Sequence, residues 1–162
     1  MQGTRDIHVD EASFRHILGH FASGVVAVTG FMDETPVGFT CQSFFSLSLR
    51  PPLVAIASSE ASTTWPRIEE SGLLCINVLD RSQEMLARRF ALSGADKFAN
   101  VQWIAGPGGI PHLAGALAWI DCELESVAGA GDHRLAIARV VSLKAAGGDP
   151  LLFYRGEYRG LR

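Results

Sequence analysis

The 162-residue sequence has no basic run and no long apolar run. Its 14 lysines and arginines are outnumbered by 17 aspartates and glutamates, so the chain lacks the basic surface that nucleic-acid binding requires. The longest apolar stretches, such as PPLVAIA (51–57), are well short of the ~20 residues of a membrane-spanning helix. The N-terminal stretch MQGTRDIHVDEASFRH contains no apolar signal segment. These absences argue against nucleic-acid and membrane partners.

Cysteine is also scarce. Cys41, Cys75 and Cys122 are odd in number and far apart, which argues against a disulfide framework and favours a reducing, cytoplasmic location. The length predicts one domain over 1–162 with a flexible N-terminal segment at 1–9. The 48% hydrophobic content is enough for a core and favours additional buried surface in an oligomer.

Motifs for nucleotide phosphates and for nucleophilic catalysis are missing. GAGDHR (129–134) lacks the third glycine of a Rossmann fingerprint, and GPGG (106–109) leads to Pro111 rather than to a helix. No GxSxG sequence is present. Nothing in the sequence places a base beside Cys41, which is expected to be a small buried hydrophobic residue.

Histidines do not form a recognisable metal motif. His16 and His20 have the i, i+4 spacing of a ligand pair, but no third ligand follows them, so no metal is expected. His8 and His112 lie in predicted loops and are expected to be solvated.

Hydrophobic periodicity predicts a mainly β chain with short helices. Helices are expected at 11–20 with Asp10 as cap, at 58–72 with Ser62 or Thr63 as cap and Gly72 as stop, and after an Asp80–Gln83 capping box. Strands are expected at 24–31, in one or two pieces at 37–49, and at 53–58, 73–79, 117–128 and 134–143, with a loop at 92–114. Consecutive, turn-linked strands favour an antiparallel barrel with two or three peripheral helices over a doubly wound sheet.

The segment 117–128 alternates strictly. Ala118, Ile120, Cys122 and Leu124 share one face, and Trp119, Asp121, Glu123 and Glu125 share the other. This pattern predicts a half-buried antiparallel strand with its acidic face in solvent.

One predicted β segment, GFTCQSFFSLSLRPPLV (38–54), is crowded with neutral hydrogen-bonding side chains. It is followed by SSEASTT (58–64), where a strand turns into a helix. Hydroxyls beside a helix N-terminus suit a phosphate, although Ser and Thr are also ordinary N-caps. Together the two segments suit a large, planar, partly polar ring with a phosphate tail, which is the chemistry of a flavin.

Six segments in order resemble the flavin-reductase-like family of short-chain flavin reductases. They are RHILGHFASGVVAVTG (15–30), GFTCQSFFSLSLRPPLV (38–54), SSEASTTWPRIEESGLLCINVL (58–79), RRFALSGADKFANVQW (88–103), GDHRLAIARV (131–140) and PLLFYRGEYRGL (150–161). The resemblance implies a split β-barrel that binds FMN or FAD at a homodimer interface. It also implies NADH or NADPH as hydride donor, and delivery of reduced flavin to a partner monooxygenase.

The same resemblance implies roles for individual residues. The flavin ring edge would meet Thr40, Cys41, Gln42, Ser43 and Phe44, and its phosphate would meet Ser58, Ser59, Ser62, Thr63 and Thr64. Lys97 and Phe98 would reach the flavin from the long loop, with His133 as the catalytic residue near the nicotinamide and Tyr154 nearby. The alternatives are that Phe44 and Phe98 belong to the core, Lys97 is a solvated charge and His133 caps a turn.

Three other functions remain compatible with the sequence. A split-barrel protein could hold flavin or haem without reductase turnover. An oxidase of the pyridoxamine-phosphate type would need a basic cluster, for which only Arg88 and Arg89 are available. A non-enzymatic dimeric binding module would leave the polar segment without a purpose.

Overall fold

The computed structural model describes residues 9–94 and 96–161. Residues 1–8 lie outside the described residues. The flexible segment expected at 1–9, apart from Val9, and the expectation that His8 is solvated both fall there. The strands are β1 (Ser23–Gly24), β2 (Val26–Met32), β3 (Thr35–Cys41), β4 (Phe45–Leu49), β5 (Pro52–Ser59), β6 (Leu73–Val78), β7 (Trp103–Ala105), β8 (Pro111–Leu113), β9 (Ala118–Ala130), β10 (His133–Ala145), β11 (Leu151–Tyr154) and β12 (Glu157–Gly160). The helices are α1 (Glu11–Leu18), α2 (Trp65–Ser71) and α3 (Glu84–Phe90), with 3₁₀ turns at Arg81–Gln83 and Pro107–Gly109.

The strands pair antiparallel in three sheets. The main sheet has the order β3-β2-β6-β9-β10-β5-β4, and β1-β11-β12 and β7-β8 form two smaller sheets. The predicted mainly β, antiparallel architecture with peripheral helices is confirmed. Within the described residues β3 is one edge of the main sheet and β4 is the other, so β3 does not pair with β5 as a strand.

Two apolar clusters form the core. The first includes Val28, Ile56 and Ile76 from the main sheet, together with Trp65 and Ile68 from α2. In the second, Val25, Leu79 and Leu113 pack with Phe90 of α3. Gly38 allows α3 to approach β3, because a Cβ at that position would lie 2.6 Å from Phe90 Cε1.

Helix α1 forms as predicted, but none of its residues is buried within the described part of the chain. Asp10 caps it by accepting a hydrogen bond from the Ser13 N–H at 2.9 Å. Its apolar side chains, Phe14, Ile17 and Leu18, are all more than half exposed. Phe21, just beyond the helix, is 83% exposed. The helical spacing of these residues therefore predicted the element without predicting a partner for its apolar face.

The segment 92–114 was expected to be a loop, yet it contains the β7–β8 hairpin. Trp103 pairs with Leu113 and Ile104 pairs with His112. This hairpin covers one face of the main sheet, where β8 contacts β2 and β6. Two predictions were wrong for that reason: His112 is buried rather than solvated, and Asp121 on the presumed solvent face of β9 is buried with it.

In the described part of the chain, no helix is long and apolar enough to cross a membrane.

Candidate functional site

A cavity of about 460 Å³ opens where β3 and β5 approach each other without pairing. It is lined by Phe39, Thr40, Cys41, Gln42, Ser43, Ala57, Ser58, Ser59, Ala61, Ser62, Thr63, Thr64, Phe90, Ala91, Leu92, Ser93, Lys97 and His133. Among these described residues no side chain is acidic, and Lys97 is the one lysine or arginine. The cavity therefore offers neutral hydrogen-bonding groups and a single ammonium group.

The polar segment that follows β3 joins the two unpaired strands. The Ser43 hydroxyl donates to the Ala57 carbonyl at 2.8 Å and accepts from the Ala57 N–H at 3.1 Å. Thr40 donates to the Ala87 carbonyl of α3 at 2.6 Å. The Ser43 hydroxyl thus ties the segment after β3 to β5, Thr40 ties β3 to α3, and residues 42–44 belong to neither β3 nor β4.

Cys41 lies in the cavity wall as a buried neutral thiol. Its sulfur is 3.3 Å from the Ser43 hydroxyl and 3.8 Å from the Ala57 carbonyl. Burial raises the pKa of Cys41, and hydrogen bonds with Ser43 and Ala57 oppose that rise. A protonated thiol is a poor nucleophile, which agrees with the expectation that Cys41 packs as a small hydrophobic residue.

Ser58 is the one serine of the cavity whose side chain is both buried and unpartnered. It is 3% exposed, and within the described residues its hydroxyl has no hydrogen-bond partner. A buried hydroxyl without a partner costs about 1–3 kcal/mol. A rotation of the Ser58 side chain toward the cavity would let a ligand oxygen remove that cost.

The turn between β5 and α2 shows ordinary capping. Helix α2 begins after Thr64, but the Ser62 hydroxyl is the acceptor for the N–H groups of Thr64 and Trp65, at 3.3 and 3.0 Å. The Ser59 hydroxyl likewise accepts from the Ala61 N–H at 3.2 Å. Ser62 is therefore the capping side chain, and Gly72 ends the helix with a φ of 69° as predicted.

Lys97 reaches the cavity from the long segment before β7. Its ammonium donates to the Gly38 carbonyl at 3.0 Å and to the Thr64 hydroxyl at 3.4 Å. Partial burial lowers the pKa of Lys97, because desolvation disfavours the charged form. An anion bound beside Lys97 would offset that desolvation.

His133 begins β10 at the mouth of the cavity. Its Nδ1 lies 2.7 Å from Asp132 Oδ1, and the side chain is about half exposed. The hydrogen bond and the charge of His133 lower the pKa of Asp132, so the carboxylate stays ionised. Asp132 therefore orients the imidazole through Nδ1.

Three of the predicted site residues do not line this cavity. Phe44 packs against the main core cluster. Phe98 makes an edge contact with Phe90, with ring centroids 5.0 Å apart. Tyr154 is a partly buried residue of β11, in the small sheet beside β1.

The chain is similar to known proteins over most of its length. A model of the flavin reductase like domain matches residues 18–162. The chain belongs to the flavin reductase like family. This confirms the family resemblance inferred from the six segments.

Individual relatives cover nearly the whole chain. The reductase subunit HsaB of a flavin-dependent monooxygenase from Rhodococcus jostii (strain RHA1) is 48% identical over 154 residues, which are 94% of this chain and 79% of the relative. The FMN reductase (NADH) SmoA from Agrobacterium fabrum is 36% identical over 146 residues, 90% of this chain and 83% of the relative. The solved NADH:FAD oxidoreductase SgcE6 from Streptomyces globisporus, in complex with NAD and FAD fragments, superposes with a TM-score of 0.88 at 32% identity, covering 94% of this chain and 93% of that chain.

Sequence reasoning missed part of the wall of this flavin reductase like chain. The end of α3 and the turn after it line the cavity through Phe90, Ala91, Leu92 and Ser93. Their side chains carry no distinctive chemistry, and only the packing of α3 against Gly38 brings them to the cavity. The RRFALSG stretch, which belongs to one of the six matched segments, was the available signal.

Proposed function

We propose that this chain is an NAD(P)H-dependent flavin reductase that transfers a hydride from a reduced nicotinamide to FMN or FAD. The observation that carries the proposal is the chemistry of the cavity wall: neutral hydroxyls, one ammonium group and the unpartnered buried hydroxyl of Ser58. The names of its relatives support the same activity.

The two ends of the cavity suit the two ends of a flavin. At one end, Ser58, Thr63, Thr64 and Lys97 offer three hydroxyls and an ammonium to a phosphate. At the other end, the backbone of residues 42–44 leaves the sheet and is expected to donate to the polar edge of the ring. Ser59 and Ser62 line the phosphate end, but they serve chiefly to cap the turn.

A flavin bound there would supply the redox ring that accepts a hydride from the nicotinamide. The chain would position the flavin and nicotinamide rings against each other. Holding the two rings in a reactive geometry removes much of the entropic barrier to hydride transfer. Thr40, Cys41 and Ser43 form an uncharged part of the cavity wall. None of these three side chains carries a charge that would stabilise the oxidised or the reduced flavin over the other. His133, oriented by Asp132, is expected to contact the nicotinamide at the mouth of the cavity.

Steady-state oxidation of nicotinamide tests the proposed activity. NADH and NADPH are each mixed with the purified chain and with FMN or FAD, and absorbance of the reduced nicotinamide is followed. We expect consumption that depends on both the protein and an added flavin. No flavin-dependent consumption in any of the combinations would contradict the proposal, and flavin binding without it would indicate a carrier protein instead.

Replacing Ser58 by alanine tests whether the Ser58 hydroxyl binds the ligand or is only an unpartnered group in the packing of the protein. We expect FMN affinity to fall about 3–10-fold, the effect of one neutral hydrogen bond, while the free energy of unfolding stays constant or rises. Fluorescence titration of FMN and urea unfolding measure the two quantities. Ser46→Ala, on exposed β4 outside the cavity, is the matched control. An unchanged FMN dissociation constant in Ser58→Ala would show that Ser58 does not touch the flavin.

A homodimer and a partner oxygenase complete the proposal. The exposed apolar side of α1, with Phe14, Ile17, Leu18 and Phe21, has no cover within the described residues and supports association with a second copy. Tyr154 and Phe44, which do not line the cavity in one chain, are proposed to contribute only in that dimer. Reduced flavin would pass to a flavin-dependent monooxygenase, consistent with the names of the relatives. The three free cysteines support a reducing compartment such as the cytoplasm.

An oxidase of the pyridoxamine-phosphate type is less well supported. Its substrate phosphate would need a basic cluster, but Arg88 pairs with Glu84 at 2.7 Å and lies over the Tyr158 ring. Arg89 donates to the Ala99 carbonyl. Neither arginine lines the cavity.

A further inference from the structure

A second group of reactive side chains lies on the sheet face covered by the β7–β8 hairpin. Cys75, His112 and Asp121 are all buried, and one ligand atom from each lies within 4.8 Å of the other two. None of them lines the cavity proposed for flavin. The activity proposed above does not use these three side chains.

The sheet and the hairpin together build this group. Cys75 of β6 and Asp121 of β9 are directly opposite in the antiparallel register, so their side chains share one face. The hairpin brings His112 onto that face, with Nε2 at 2.7 Å from Asp121 Oδ1. The Cys75 sulfur lies within 4.8 Å of the nearest Asp121 carboxylate oxygen and of the His112 ring nitrogen, so the three side chains converge.

Neighbouring groups hold the three side chains in place. The His112 ring is stacked against Trp119, with centroids 5.8 Å apart and planes 14° apart. Gly106 lies against the same ring, where a Cβ would be 2.1 Å from Nε2 and no side chain fits. Asn77 donates to the Thr29 hydroxyl at 2.9 Å and accepts from the Leu113 N–H at 2.8 Å, which fixes β8 over the sheet. The imidazole is therefore positioned before any ligand binds.

We propose that Cys75, His112 and Asp121 bind a divalent transition-metal ion, with Zn²⁺ the best match. Thiolate, imidazole and carboxylate are the three ligand types that Zn²⁺ accepts, and three protein ligands leave the fourth tetrahedral position to water. With the thiol deprotonated and the imidazole neutral, the three side chains carry two negative charges, which one divalent ion neutralises. A buried site then holds no net charge, so the desolvation penalty of an isolated buried ion is avoided.

The geometry requires only small movements. Metal–ligand bonds of about 2.0–2.3 Å place tetrahedral ligand atoms roughly 3.4–3.6 Å apart. The distance between His112 Nε2 and Asp121 Oδ1 would increase from 2.7 Å by about 1 Å. The longest of the three distances between ligand atoms, which is at most 4.8 Å, would decrease by about the same amount. Both movements are within reach of side-chain adjustment.

Metal binding must displace a proton held firmly by the thiol. Burial and the Asp121 charge raise the pKa of Cys75 well above its usual value. The ion therefore competes with protons, and binding is expected to tighten as pH rises.

Cobalt substitution tests the site without flavin or nicotinamide. The full chain is unfolded in urea in the presence of a chelator to remove any bound metal. The chelator is then removed, and the chain is refolded with one equivalent of Co²⁺. We expect a thiolate-to-cobalt charge-transfer band and the intense visible bands of tetrahedral Co²⁺, both growing with pH. Equimolar Zn²⁺ should abolish these bands, because Zn²⁺ forms a more stable complex with such ligands than Co²⁺ does.

Matched cysteine variants decide whether the named thiol is the ligand. Cys75→Ser should lose the charge-transfer band, and Cys122→Ser, which changes a buried thiol on the opposite face of the sheet, should keep it. His112→Gln should lose the tetrahedral visible bands. Wild-type protein that refolds without a charge-transfer band, or a band that persists in Cys75→Ser, would overturn the proposal. Since every measurement is made without flavin, failure here leaves the proposed reductase activity untouched.

Discussion

Replacing Asp121 by alanine is expected to lower the free energy of unfolding by about 1–3 kcal/mol, the typical cost of leaving a buried hydrogen-bonding group without its partner. Asp121 is buried, and its Oδ1 lies 2.7 Å from His112 Nε2. Its removal leaves the buried His112 Nε2 without this partner and removes a contact that ties β8 to β9. Urea unfolding followed by tryptophan fluorescence, with a chelator present, measures the loss.

An exposed aspartate provides the control for this change. Asp149 pairs with Arg81 at 3.4 Å, and both side chains are 53% exposed. Asp149→Ala should therefore cost less than about 1 kcal/mol. If Asp121→Ala were no more destabilising than Asp149→Ala, the hairpin would not be held to the sheet by the buried pair.

Replacing Lys97 by alanine is expected to weaken FMN binding about 10–100-fold, because a hydrogen bond to a charged group contributes about 1.5–3 kcal/mol. Lys97 is the one lysine or arginine among the described cavity-lining residues, and it lies beside Thr64, in the part of the cavity proposed to hold the phosphate. Fluorescence titration with FMN measures the change in dissociation constant.

Riboflavin and the second lysine make this test specific. Riboflavin has no phosphate, so Lys97→Ala should change its affinity far less than that of FMN. Lys144, the other lysine of the chain, lies over the Trp119 ring away from the cavity, and Lys144→Ala should leave both affinities unchanged. Equal losses for FMN and riboflavin in Lys97→Ala would mean that Lys97 supports the fold of the cavity rather than a phosphate.

Local patterns in the sequence predicted much of the fold. The Asp10 cap, the Asp80–Gln83 capping box and the Gly72 stop are all present, because each depends on side chains within a few residues. The β7–β8 hairpin was missed because its two strands are only three residues long and lie among glycines and prolines. The errors at His112 and Asp121 followed from that omission, since strict alternation on β9 cannot reveal what covers its second face.

The cavity was predictable in part for a similar reason. Thr40 to Ser43 and Ser58 to Thr64 are two short runs with recognisable chemistry, so the sequence predicted the polar wall that they form. The sequence predicted Ser62 or Thr63 as the cap of the second helix, but it could not predict which of the other hydroxyls bond within the protein. Ser43 bonds to Ala57 and Ser62 caps α2, whereas Ser58 remains without a partner among the described residues. That distinction depends on the approach of β3 to β5, which joins segments far apart in the chain.

Anaerobic reduction of flavin is the most direct test of the account. The purified chain is mixed with FMN or FAD and a limiting amount of NADH or NADPH in the absence of oxygen, and the flavin and nicotinamide absorbances are recorded together. We predict that with one of these pairs both absorbances fall mole for mole, as a two-electron hydride transfer requires. Flavin that binds the protein but keeps its oxidised spectrum, with every nicotinamide unconsumed, would contradict the claim that this cavity is the site of hydride transfer.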